Sequence, residues 1–143
     1  MESFFEIYPD GRLISVVRDA RNWYPSASRH ILKKYRYIRP ALSQWNDSAQ
    51  GMIRNKQQYP DRVCIILFED LIRRTEAVMR YLTDFLGIGF DHILLTPTFN
   101  KTPVKPNTSF NLEKPGIMFS ALERHKNLSR EEIKIVDEIT QEI

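Results

Sequence analysis

The sequence is poor in residues that staple a fold, ligate a metal or cradle a phosphate chain. Among 143 residues there is one cysteine, Cys64, so no intrachain disulfide can form. Its place inside Val63-Cys64-Ile65-Ile66-Leu67-Phe68 makes it a small buried hydrophobe. The three histidines, His30, His92 and His125, are scattered without ligand spacing, which leaves a zinc site without support. None of the five glycines is followed by lysine, which excludes a Walker-type loop. No apolar run approaches the ~20 residues that cross a bilayer. The opening Met1-Glu2-Ser3-Phe4-Phe5-Glu6 lacks the basic start and long apolar stretch of a signal peptide. The expectation is a cytoplasmic chain with no membrane partner. There is no internal repeat and no low-complexity tract.

What is present is ordinary in proportion and uneven in placement. A hydrophobic share of 42% and a charged share of 27% are those of a globular domain, and the length predicts one domain over residues 1–143. Net charge is only +3, yet Arg12, Arg18, Arg21, Arg29, Lys33, Lys34, Arg36 and Arg39 face a single acid, Asp19. Such a cluster attracts polyanions of several kinds, and it also fits a merely solvated helix face. A noncatalytic module that binds nucleic acid or a sulfated glycan through Arg12 to Arg39, with Tyr35, Tyr37 and Trp45 as stacking surfaces, is one reading of it.

The pattern of elements is α/β. Pro9-Asp10-Gly11 reads as a turn, and the β-branched run Leu13-Ile14-Ser15-Val16-Val17 as a strand buried on both faces of a parallel sheet. A helix is predicted from about Asn22 towards Lys34, with Pro25 in its first turn, where a missing N–H costs little. A second helix is expected from about Ser43 to Gln57, anchored by Trp45, and a second buried strand over Val63 to Phe68. From Arg74 to Leu86, Val78, Tyr81, Leu82 and Phe85 recur at helical spacing as a core stripe, and Gly87 is placed to cap the helix. Four prolines between His92 and Pro115 predict a long loop. Ser129-Arg130-Glu131-Glu132 has the spacing of a capping box, with Ile133, Val136, Ile139 and Ile143 on one face of a last helix.

Arg18 and Ser26 stand eight residues apart across the end of the first strand. A strand delivers the guanidinium to its C-terminal edge, and the following turn and helix bring a hydroxyl back beside it, so that one phosphate could accept from both. The plain alternative is a surface contact and a helix cap.

This Arg-Asp-x-Arg segment, read with Phe68-Glu69-Asp70-Leu71 and Phe85-Leu86-Gly87, resembles the sulfotransferase family that uses 3′-phosphoadenosine-5′-phosphosulfate (PAPS). Thr98-Phe99-Asn100-Lys101-Thr102-Pro103 and Pro106-Asn107-Thr108-Ser109-Phe110 look like a loop of its bacterial and carbohydrate-type members. The resemblance implies a parallel sheet flanked by helices, of P-loop-NTPase-like type. It also implies that Arg18 and Ser26 hold the 3′-phosphate of the donor nucleotide. Lys114-Pro115-Gly116-Ile117 is similar to the basic-Gly loop that folds over the same phosphate. That similarity gives Lys114 and the backbone of Gly116 a binding role, with Pro115 departing from the loop's usual form. Phe68 stands where the family often has Tyr.

The family's first strand, its phosphosulfate loop and its catalytic base find no counterpart here, so no catalytic residue and no metal are assigned. The resemblance implies sulfuryl transfer from the nucleotide to a hydroxyl or amine acceptor on a small molecule or carbohydrate. The expectation is an amino-terminally truncated, weakly active or inactive domain, marginally stable or self-associating through an exposed sheet edge.

Overall fold

The computed structural model describes residues 2–29, 35–100, 102–104 and 116–140. It opens with helix α1 (Glu2–Ile7), a turn, strand β1 (Leu13–Val17), helix α2 (Ala20–Ala27) and the long helix α3 (Ile38–Gln58). Strand β2 (Val63–Leu67) follows and runs directly into helices α4 (Phe68–Arg73) and α5 (Thr75–Leu86). A 3-10 helix (His92–Leu95), a pair of two-residue strands β3 (Thr98–Phe99) and β4 (Thr102–Pro103), a second 3-10 helix (Phe119–Asn127) and helix α6 (Arg130–Thr140) complete the described elements.

The turn at Pro9-Asp10-Gly11 closes with Gly11 N–H donating to the Tyr8 carbonyl at 2.9 Å. A Cβ at Gly11 would lie 3.0 Å from Tyr8 backbone and side chain and 3.1 Å from the Phe4 ring, so a larger residue would force these neighbours apart by a few tenths of an ångström. Arg62 locks the turn from below: its Nη2 donates to the Tyr8 carbonyl at 3.0 Å, and its guanidinium lies 4.0 Å from the centroid of the Phe5 ring.

β1 and β2 pair in parallel, Leu13 opposite Val63 through Val17 opposite Leu67. The parallel arrangement agrees with the sequence reading, but the expectation that β1 is buried on both faces does not hold. Val63 and Cys64 of β2 are buried, whereas β1 is half-buried and Val16 is 45% exposed. The cause is the size of the sheet: among the described residues β1 has β2 as its only strand neighbour.

Two clusters of apolar side chains flank this ribbon. On one side Leu42 and Ala41 of α3, Tyr24 and Ala20 of α2, and Val136 of α6 meet, with Trp23, Trp45 and Ile139 packed around them. On the other, Cys64 and Ile66 of β2 meet Leu82 of α5 among Val78, Met79 and Phe85. Tyr81 departs from its predicted place in that stripe, since it is 55% exposed at the margin of the helix face. Gly87 caps α5 in the left-handed region at φ 71°, as its position in the sequence requires.

Helix α2 starts earlier than the sequence suggests, because the Asp19 carboxylate accepts from Arg21 N–H at 2.7 Å and caps it. Pro25 therefore falls in the second turn rather than the first, where it removes a hydrogen bond to the Arg21 carbonyl, and the helix ends two residues later. Helix α3 likewise begins at Ile38, with Pro40 inside its first turn, where proline is tolerated. The stretch expected to be one long loop from His92 carries a 3-10 turn and the β3–β4 hairpin.

Candidate functional site

In a parallel sheet, ligands gather beyond the carboxyl ends of the strands. The β1–β2 register makes Arg18 and Phe68 the next pair after Val17 and Leu67, so the two sequence motifs arrive at the same edge. The Arg18 guanidinium stacks on the Phe68 ring at 4.7 Å, and Asp19 N–H donates to Glu69 Oε1 at 3.2 Å. Trp45 of α3 supports the turn by donating its indole N–H to the Arg18 carbonyl at 3.0 Å.

Arg18 Nη1 donates to Ser26 Oγ at 3.3 Å, so the pair picked out in the sequence is in contact. Arg18 Nη2 donates to the carbonyl of Ala121, in the 3-10 helix Phe119–Asn127. Arg18 Nε is buried with no partner among the described residues. Burial pulls this guanidinium below its ordinary range; Glu69 opposes that, Arg124 adds to it, and Asp19 opposes it. A half-buried cation with Nη2 held by a carbonyl, Nη1 in a long hydrogen bond and Nε unmet has capacity left for an anion.

Beside Arg18 lies an apolar cavity of about 370 Å³, walled by Phe68, Leu71 and Ile72 of α4, Thr75 and Met79 of α5, residues 94–97, and Ile117, Met118 and Ala121. Phe68 and Ala121 border both the cavity and the guanidinium. The apolar wall of the cavity at Phe68 and Ala121 therefore adjoins the Arg18 guanidinium.

Gly116 has φ 110°, a backbone conformation that favours glycine, and it leads directly into the cavity wall at Ile117 and Met118. Lys114 lies outside the described residues. Two contributors escaped the sequence reading. The Ala121 carbonyl carries no side-chain signal, and Arg124 sits in a segment whose 3-10 geometry has no apolar periodicity to mark it. Among the described residues no three His, Cys, Asp or Glu side chains gather as a metal site would require. No described helix is long and apolar enough to cross a membrane.

The model of the sulfotransferase family matches residues 1–92, which include the strand, the Arg18/Ser26 segment and the Phe68-Glu69-Asp70-Leu71 turn. The chain belongs to the sulfotransferase family. It is also similar to protein-tyrosine sulfotransferase A of Caenorhabditis elegans, 27% identical over 95 residues that make up 63% of this chain and 25% of that protein. This sulfotransferase-family chain thus spans about a quarter of the length of that curated relative. No solved structure matches it.

Proposed function

We propose that this sulfotransferase-family chain binds the adenosine 3′-phosphate portion of PAPS, with Arg18 and Ser26 on the 3′-phosphate and the adenine against the Phe68-lined cavity. The observation that carries the reading is the half-buried Arg18 guanidinium, whose Nε has no partner among the described residues and whose neighbours Phe68 and Ala121 line an apolar cavity. A phosphate would satisfy Arg18 Nε and accept from Ser26, and a purine would cover apolar wall that otherwise faces water. Phe68 offers the ring face of the family's frequent Tyr without its hydroxyl. Gly116 precedes the cavity wall at Ile117 and Met118, and the family resemblance gives it and Lys114, which lies outside the described residues, a share of the same phosphate.

When bound, PAPS supplies an activated sulfuryl group, which in this family passes to a hydroxyl or amine. The residues of this chain bind and orient the nucleotide; no side chain here is assigned as the base. Similarity to a protein-tyrosine sulfotransferase makes a phenolic hydroxyl one instance of the acceptor class. The fold we infer is a P-loop-like sulfotransferase sheet. The unpaired side of β1 is then a site of self-association.

The polyanion-module reading draws less support. Arg21 pairs with Asp137 at 2.7 Å and Arg39 with Glu138 at 3.3 Å, so acids of α6 partly neutralise the basic stretch.

Calorimetric titration with adenosine 3′,5′-bisphosphate and with 5′-AMP tests the assignment. Arg18→Ala is expected to weaken the bisphosphate by ~1.5–3 kcal/mol, the usual worth of a charge-assisted hydrogen bond, and to leave 5′-AMP nearly unchanged. Equal weakening of both ligands, or no preference in the unaltered chain, overturns it.

A further inference from the structure

Helices α4 and α5 present one continuous stripe to the cavity: Phe68, Leu71, Ile72, Thr75 and Met79, at the spacing of a single helical face carried across the joint between the two helices. All but Thr75 are apolar. Thr75 is half-buried, and among the described lining residues only it and Thr96 carry a hydroxyl and none carries a charge. The Thr75 hydroxyl donates to the Leu71 carbonyl at 2.8 Å, with the Ile72 carbonyl further off at 3.4 Å. Both carbonyls belong to the last turn of α4, the part of a helix whose carbonyls lack partners in its own ladder, and the hydroxyl satisfies one of them. A threonine hydroxyl has one hydrogen, and here it is committed. To a ligand Thr75 therefore offers only an acceptor. A group that meets it must bring its own N–H or O–H; a carbonyl in the same place would face lone pairs, or would force the hydroxyl to leave Leu71.

We propose that Thr75 sets the base preference of the site: its hydroxyl oxygen accepts from the exocyclic amino group of the purine, so that the cavity takes a 6-aminopurine and disfavours a 6-oxopurine. The inference rests on the nucleotide reading given above, in which a purine lies against this wall. Phe68, which stacks on Arg18, marks the phosphate end of the stripe. Thr75 stands about two turns beyond it, toward the base rather than the phosphate. The apolar surroundings make this single acceptor count, because a polar group left unpaired there is not compensated by water.

The test is calorimetric titration of the full chain with adenosine 3′,5′-bisphosphate and with inosine 3′,5′-bisphosphate, which carry the same phosphates and differ at the edge of the base. It is run on the unaltered protein and on Thr75→Val, Thr75→Ala and Thr75→Ser, each checked for folding by circular dichroism. The unaltered chain should favour the adenosine ligand by ~10-fold, the net worth of one hydrogen bond. Thr75→Val keeps the shape of the side chain without its hydroxyl, and should reduce that preference to about twofold or less, chiefly by weakening the adenosine ligand. Thr75→Ala should do the same, so that failure of either variant to fold leaves the other to be read. Thr75→Ser should retain the preference. If the variants weaken both ligands alike, Thr75 only ties α4 to α5 and the inference is wrong. If the unaltered chain binds the two bisphosphates equally and both better than 5′-AMP, the inference is again wrong and the nucleotide reading stands. If it binds neither bisphosphate, both fall together.

Discussion

Arg18 and Tyr24 show how two nearby side chains divide between a candidate site and the core. Arg18 keeps an unmet donor and sits where two motifs converge, whereas Tyr24, six residues on, is 5% exposed and its hydroxyl reaches the Arg36 carbonyl at only 3.5 Å. Burial, and then the negative charge of Glu132, raise the Tyr24 phenol above its ordinary value of 10.0. The folded state therefore holds this proton more tightly than the unfolded chain does. The sign follows: the contribution is fully present below about pH 10, the unfolded phenol's range, and is lost as pH rises through the higher folded value. Denaturant melts between pH 9 and about 11 should show stability falling as the unfolded phenol ionises, and Tyr24→Phe should flatten that fall. An unchanged slope in the variant would place the alkaline sensitivity elsewhere. At this scale the sequence was informative where chemistry is carried by side chains in a strand-end motif. It was silent on the Ala121 carbonyl, because a backbone acceptor has no residue-type signature.

Elements were legible in proportion to how local their causes are. α6 is the clearest case: Glu132 N–H donates to Ser129 Oγ at 3.2 Å, and Ser129 N–H donates to Glu132 Oε2 at 2.8 Å, the reciprocal pair that the spacing Ser-x-x-Glu predicts. Ser129→Ala should cost ~1 kcal/mol in chemical denaturation, and Ser129→Asp should retain most of the stability, since either side chain accepts from the first turn. Gly87 was legible for the same reason, as a cap whose requirement lies within its own turn. The start of α2 was not, because the Asp19 cap competes with the expectation that proline marks a first turn, and the cap prevails. The 3-10 helix Phe119–Asn127 was missed altogether. Its apolar residues follow no 3.6-residue period, and contacts with Arg18 and Asn22, over a hundred positions away, tie it in place. An element held by such distant partners leaves little trace in its own sequence. The same logic explains Tyr81: helical spacing put it on the core stripe, but the sheet it faces is too narrow to cover it.

At the scale of the whole molecule, the sheet of the described residues is narrow. Parallel sheets are normally covered on both faces and paired along their length, because exposed edges offer unpaired N–H and C=O groups to any passing strand. Here the ribbon has two strands, Val16 is 45% exposed and Leu67 is 51% exposed, and β1 has no described strand on its outer side. If the outer side of β1 is open in the folded chain, apolar surface and open backbone groups in the same place would draw copies together. Sedimentation of the chain should therefore show mass rising with concentration, accompanied by binding of an apolar dye. Val16→Lys should lower both, because a charge on an edge strand opposes the close approach of a second strand while leaving the β1–β2 ladder intact. Association that persists unchanged in Val16→Lys would move the contact to another surface. A sharply melting monomer that binds no dye would mean that the two apolar clusters flanking the ribbon suffice to stabilise it, and the edge argument would fail for this chain.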